Sequence, residues 1–197
     1  MKYLAILLLA LLAACSSSER PDSTLKIITD AGHGSGVSIG KGYILSAAHV
    51  VKDAKTITIK TKAGVVHPVK VLWVNEAKDI ALLHTGAKLP SSPLSCREVK
   101  PGEHITASGN PVDMEFLDMQ GFVAGGLRAI GPWEDAIPAD LTLIGGMSGG
   151  PVFDDAGEVV GINVGHMSIG LGGFGRSWVR AAVIVPSSAV CKLMART

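Results

Sequence analysis

The stretch Gly145–Val152, "GGMSGGPV", sets one serine, Ser148, among four glycines. A serine hydroxyl is a weak nucleophile at neutral pH and needs a neighbouring base. Histidine, with an ordinary pKa of ~6.5, suits that role. Of the six histidines, His49 is marked by its setting: in "YILSAAHVV" it follows a β-like run and three small residues that let another segment approach closely. Asp79 opens the apolar run "DIALLH". An acid there would accept the imidazole N–H, fix its tautomer and stabilise the imidazolium. Its plainer role is a turn residue bonding nearby backbone. The glycines would let peptide N–H groups converge on a developing oxyanion, and Gly146 and Ser148 are the natural donors. Such clusters are also common in ordinary turns, so the stretch alone decides nothing.

Gly146–Gly150 also fits G-x-S-x-G, the nucleophile elbow of α/β-hydrolases. That arrangement needs an acid and a histidine after the serine, and helices between the strands. Only His166 follows Ser148, in a segment that reads as β. The order His49, Asp79, Ser148 is instead complete upstream. No histidines pair at metal-ligand spacing and there is no Cys-x-x-Cys, so neither metal nor cofactor is expected.

The elements that would position these residues are short β runs. Six are expected in the first half: 25–28, 35–39, 42–46, 56–60, 67–74 and 80–84. "TITIK" (56–60) shows the alternation of a half-buried strand. Residues 86–104, rich in proline and serine, read as a linker. Six more follow: 105–108, 116–127, 140–143, 151–154, 159–164 and 178–185. Residues 186–195 read as a short helix with Pro186 or Ser187 at its start. The lack of helical runs between strands speaks against a parallel α/β sheet. The expectation is an all-β chain of two six-stranded antiparallel β-barrels, 27–85 and 105–197, the second ending in a short helix.

The chain begins "MKYLAILLLALLAACSSSERPDS": one lysine, then an apolar run too short to span a bilayer, which takes roughly 20 residues. This reads as a secretory signal over 1–14. Leu12-Ala13-Ala14-Cys15 resembles a bacterial lipoprotein signal, with Cys15 lipidated and 15–26 a flexible tether. By likeness to lipoprotein sorting, serine after Cys15 favours the outer membrane, facing the periplasm, if the cell has one. The 18 Lys+Arg and 17 Asp+Glu become balanced once Lys2 is removed with the signal. No basic patch points to nucleic acid, and no polybasic run to a lipid surface. In an exported protein the two remaining cysteines, Cys96 and Cys191, are a plausible disulfide. Two buried thiols are the alternative.

"GSGVSIGKGYILSAAHVV", "KDIALL" and "GGMSGGPVFDDAGEVVGIN", in that order, resemble the chymotrypsin-like (trypsin-fold) serine proteases, in particular the bacterial HtrA/Deg type. The resemblance implies a catalytic triad of His49 (general base, then acid), Asp79 (orienter) and Ser148 (acyl nucleophile), with Gly146 in the oxyanion hole. It implies that Val164, Gly165 and His166 run beside substrate backbone. Residues 142–145, 164–166 and part of 179–183 would wall the specificity pocket. It also places Cys191 on a terminal helix beside the linker that bears Cys96. Met147 departs from the aspartate of the zymogen-activated branch, which speaks against activation by a new amino terminus. Thr142 stands where some members keep an acid, which speaks against Lys/Arg preference and for a small or medium apolar side chain. The PDZ domains usual in HtrA proteins are not expected. The partners implied are a polypeptide substrate and a membrane reached through Cys15. The competing expectations are a catalytically silent binding module on the same fold and an esterase.

Overall fold

The computed structural model describes residues 20–171 and 177–195. The expected signal 1–14, Cys15, residues 16–19 of the tether and the Val179 side chain of the expected pocket wall lie outside the described residues, and the end of the expected tether, 24–26, is strand instead.

The first half folds as β1 (Thr24–Thr29), β2 (Gly32–Gly40), β3 (Tyr43–Ser46), the one-turn helix α1 (Ala48–Val51), β4 (Ile57–Lys60), β5 (Val66–Pro68), β6 (Lys70–Asn75) and β7 (Ile80–His84). Its sheet order is β5-β4-β1-β2-β3-β7-β6. The two ends of that order are consecutive in sequence, separated by Val69 alone. The run expected as one strand therefore pairs with β4 at its start and β7 at its end. The second half has β8 (His104–Gly109), β9 (Leu117–Val123), β10 (Arg128–Ile130), β11 (Trp133–Asp140), β12 (Pro151–Phe153), β13 (Val159–Leu171), β14 (Ser177–Pro186) and the helix α2 (Ser187–Met194). Here β11, β14, β13, β12, β8 and β9 form a ring closed by β9–β11 pairing, with β10 added outside β11. Each sheet thus counts seven strands where six runs were expected, within the same two-barrel all-β architecture.

Two expected strands change. The run expected at 140–143 is not a strand; the strand is β11, which ends at Asp140. Glu134, Asp135 and Pro138 break its apolar pattern in the sequence, yet Ala136, Ile137 and Ala139 are buried. Pro138 is tolerated because it contributes a carbonyl, which accepts the Ala124 N–H at 2.9 Å. The run at 159–164 continues to Leu171, paired throughout with β14.

Strand alternation explains why the central runs are apolar on both faces. In β7, Ala81 and Leu83 join the core of the first barrel with Leu25, Ile27, Ile44 and Ile59. Ile80 and Leu82 point the other way, into a core shared between the barrels with Leu45, Phe153, Ile162, Val164 and Val183. The site lies along this shared core. A disulfide joins Cys96 to Cys191, Cα–Cα 5.8 Å, and holds α2 to the segment between the barrels.

Candidate active site

Asp79 enters β7 with φ 52, in the left-handed region that aspartate visits more readily than most residues. That conformation aims both its carboxylate and its carbonyl at the start of α1. The first N–H groups of a helix lack intrahelical partners, and the residue before α1, Ala47, has no capping side chain. Asp79 replaces the cap: its carbonyl accepts the Ala48 N–H at 3.1 Å and its Oδ1 the His49 N–H at 2.9 Å. Its Oδ2 lies 2.7 Å from His49 Nδ1 and accepts the Trp133 Nε1–H at 3.1 Å. The Asp79 side chain is 11% exposed and that of His49 45%. The acid is sealed while the far imidazole nitrogen, Nε2, stays open to the cleft and pairs with no described residue.

Ser148 stands on the turn between Leu141 and β12. Gly146 has φ 98, and a Cβ there would come 2.4 Å from the Asn110 carbonyl and 2.7 Å from His33 Nε2, so only glycine fits. The Gly145 carbonyl accepts the Val112 N–H at 3.2 Å. In a trans amide the Gly146 N–H then faces the opposite way. Neither the Gly146 N–H nor the Ser148 N–H donates to another described residue, which leaves two donors free for an oxyanion. Buried Ser35 fixes the turn: its N–H donates to the Ser148 carbonyl at 2.8 Å and its hydroxyl to the Gly146 carbonyl at 2.7 Å. The same hydroxyl accepts from Asn110 N–H at 2.9 Å and Asn110 Nδ2 at 3.0 Å. No hydrogen bond joins Ser148 Oγ to His49 among the described residues. The link is Gly34, where a Cβ would meet Val50 Cγ1 of α1 at 2.6 Å and the Ser148 carbonyl at 3.1 Å.

Two cavities flank the line between these halves. One, of about 370 Å³, is lined by His49, Asp79, Lys52, Glu76, Trp133 and Val164. Lys52 donates to Glu76 at 3.0 Å, and that carboxylate holds the Lys52 ammonium above its ordinary pKa. The other, of about 310 Å³, is lined by Ser148, Leu143, Ile144, Met147, Gly165 and His166, with Trp133 again on its wall. Gly165 and His166 therefore face the serine side. Val164 is buried and lines the histidine side, and Thr142 is exposed and lines neither cavity. Among the described residues no three His, Cys, Asp or Glu side chains gather as a metal site, and no helix is long and apolar enough to cross a membrane.

Sequence reasoning missed Trp133, Ser35 and Asn110. Trp133 follows a Gly131-Pro132 turn inside an acidic stretch, and that turn was its only local signal. The other two act through folding that brings distant segments together.

The family model described as trypsin-like peptidase domain matches residues 34–162. A probable periplasmic serine endoprotease, DegP-like, of Brucella suis is 32% identical over 162 residues, 79% of this chain and 31% of that protein. A protein of the same description from Pseudomonas fluorescens is 36% identical over 136 residues, 66% of this chain and 28% of that one. The chain spans about a third of the length of these curated relatives. Among solved structures, a serine endoprotease from Yersinia pestis superposes with TM-score 0.73 at 24% identity, over 91% of this chain and 64% of that one. The HtrA-type protease AlgW, solved with a decapeptide, gives TM-score 0.76 at 20% identity, over 88% and 63%. These two likenesses speak to the fold.

Proposed function

The chain belongs to the trypsin-like peptidase domain family, and from that premise we propose that it is a serine endopeptidase acting through Ser148, His49 and Asp79. The observation that supports this most is the 2.7 Å contact of His49 Nδ1 with a sealed Asp79 carboxylate, which leaves Nε2 open. Asp79 accepts the Nδ1–H and so presents Nε2 as the lone-pair nitrogen. Nε2 takes the Ser148 Oγ proton as Oγ attacks the scissile carbonyl carbon. The oxyanion is met by the N–H groups of Gly146 and Ser148. Collapse breaks the C–N bond, and His49 returns the proton to the departing amine. Water, deprotonated by His49, then attacks the acyl ester. The oxyanion collapses, His49 reprotonates Ser148 Oγ, and the new acid leaves.

Substrate backbone runs beside residues 164–166, and the preceding side chain enters the cavity of Leu143, Ile144 and Met147. That lining suits a medium apolar side chain. The polypeptide substrate is met at the cell envelope, where the DegP-like relatives are named periplasmic. The chain is held there by lipid on Cys15, at the outer membrane where one exists.

The test is labelling of the lipid-free protein with a fluorophosphonate probe beside Ser148→Ala. Wild type is expected to label and the variant not to. Absence of Ser148-dependent labelling between pH 6 and 9 would sink the enzyme reading in favour of a silent module. Labelling without cleavage of casein or of a peptide library would point to an esterase.

A further inference from the structure

Trp133 is the first residue of β11, a strand of the second barrel, yet its indole N–H ends on Asp79 of the first barrel. Asp79 Oδ2 thereby accepts two donors, the imidazole Nδ1–H at 2.7 Å and the indole Nε1–H at 3.1 Å. Two donors on one oxygen fix the carboxylate plane against rotation, and hydrogen bonds to a charged acceptor are about twice as strong as neutral ones. The same two segments are held a second time, since Lys78, next to Asp79, pairs with Asp135, two residues beyond Trp133 on β11.

The ring has a second contact. A Cβ on Gly165 would lie 2.9 Å from Trp133 Cη2 and 3.0 Å from Cζ2. The indole therefore lies directly on the β13 backbone at the register shift between Asn163 and Gly165. It lines both the cavity holding His49 and the cavity holding Ser148. One side chain thus touches the orienting acid, the backbone edge beside the serine, and both cavities.

We propose that Trp133 is a positioning and specificity-determining residue, its indole N–H holding Asp79 in the plane that orients His49 and its ring dividing the cleft into two subsites. The proposal rests on the endopeptidase reading above. It makes the two barrels mutually dependent, because β11 cannot shift without releasing Asp79. It also makes the division between subsites a property of one residue. Replacing the indole with a smaller group would merge the two cavities and admit a larger side chain next to the scissile bond.

Fluorophosphonate inactivation resolved into kinact and Ki separates the two roles. Trp133→Phe, which keeps a ring and loses the N–H, should lower kinact about tenfold and leave Ki within about twofold, the loss of one charge-assisted hydrogen bond. Trp133→Leu should lower kinact similarly and also change Ki for probes with bulky chains by about tenfold. Should Trp133→Phe misfold, the benzothiophene isostere of tryptophan, sulfur in place of N–H, keeps the shape and tests the same bond. A readout independent of turnover is the low-field proton resonance of His49 Nδ1–H in Ser148→Ala protein. It should move when the indole donor is removed. An unchanged resonance, or wild-type kinact in the Phe or benzothiophene protein, overturns the positioning role. Unchanged Ki in the Leu protein across probes of different bulk overturns the dividing role. Wild type that never labels defeats the endopeptidase reading instead, and the resonance still reads the Trp133–Asp79 bond.

Discussion

On the His49 side of the cleft, four hydrogen bonds end on one acidic residue: Asp79 accepts from Ala48 N–H, His49 N–H, His49 Nδ1 and Trp133 Nε1. On the Ser148 side the fixing bonds involve no charged group. They run from Ser35 and Val112 to the carbonyls of Ser148, Gly146 and Gly145. One half is built by side chains around a charge, the other by backbone around missing side chains. On the endopeptidase reading proposed above, the difference follows from what each half presents. A base needs its tautomer set by a fixed acceptor, and a charged acceptor also stabilises the imidazolium that forms. An oxyanion site needs N–H groups left unpaired, and only a backbone bent by glycine and pinned through its carbonyls provides them. The two halves should therefore break in different ways.

The charged half should break most completely. Asp79→Asn keeps the shape and removes the charge. In either orientation its amide sets a donor against a donor, the His49 N–H in one and the Nδ1–H and indole N–H in the other. Fluorophosphonate labelling should fall about 10⁴-fold while the protein stays folded. A loss below tenfold would show that Asp79 serves only as the cap of α1. The backbone half should break next. Gly146→Ala puts a Cβ against a carbonyl 2.4 Å away at φ 98, so the turn must move. Labelling should fall about 10²- to 10³-fold. Adding His33→Ala removes the softer of the two contacts and should not restore it, because the Asn110 carbonyl remains.

Ser35→Ala tests whether the backbone half is a matter of stability as much as chemistry. It leaves the Gly146 carbonyl without its donor, the buried Asn110 N–H without its acceptor, and Asn110 Nδ2 with only the Leu25 carbonyl. Urea unfolding should show a loss of about 1–3 kcal/mol, with a smaller effect on labelling than Gly146→Ala. An equal effect on both would mean that Ser35 shapes the oxyanion turn directly.

The sequence was more legible for one half than for the other. His49, Asp79 and Ser148 were singled out by residue type and order, and most β runs by apolar or β-branched stretches between turn signals. What was hidden lies in contacts between distant segments. Ser35 reads as one more polar residue in a glycine-rich strand, yet it is fully buried and bonds to residues 75 and 111 positions away. Strand β11 was missed because two acids and a proline mask its buried alternate residues, and with it went Trp133. Thr142 was expected on the pocket wall from its offset to Ser148. Of the expected wall 142–145, Leu143, Ile144 and Gly145 line the cavity beside Ser148, while Thr142 is exposed to solvent.

The smallest effect concerns the loop that serves the backbone half. Residues 110–116 hold Asn110 and Val112 against the oxyanion turn, with Val112 and Phe116 both at positive φ, 48 and 58. A loop strained at two non-glycine positions needs anchoring. Glu115 supplies it, donated to by Lys60 at 2.7 Å and Lys26 at 2.9 Å, both in the first barrel. Those two ammonium groups hold the Glu115 carboxyl below its ordinary value of 4.5, Lys60 the more strongly. A carboxylate with a lowered folded pKa stabilises fully above its unfolded pKa, and the contribution disappears as pH falls through the folded value. Glu115→Gln should therefore lower the melting temperature slightly at pH 7, by the equivalent of roughly 1 kcal/mol or less for a pair this exposed. The difference from wild type should shrink as pH falls below the ordinary carboxyl value of 4.5, disappear once the folded-state carboxyl is protonated, and shrink in high salt. Hydrogen exchange at Val112 should rise in the variant before that of the Ala48 N–H, which Asp79 holds from within the first barrel. A penalty that does not change as the solution is acidified would mean that Glu115 acts through shape, and that the Ser148 half is free of charge throughout.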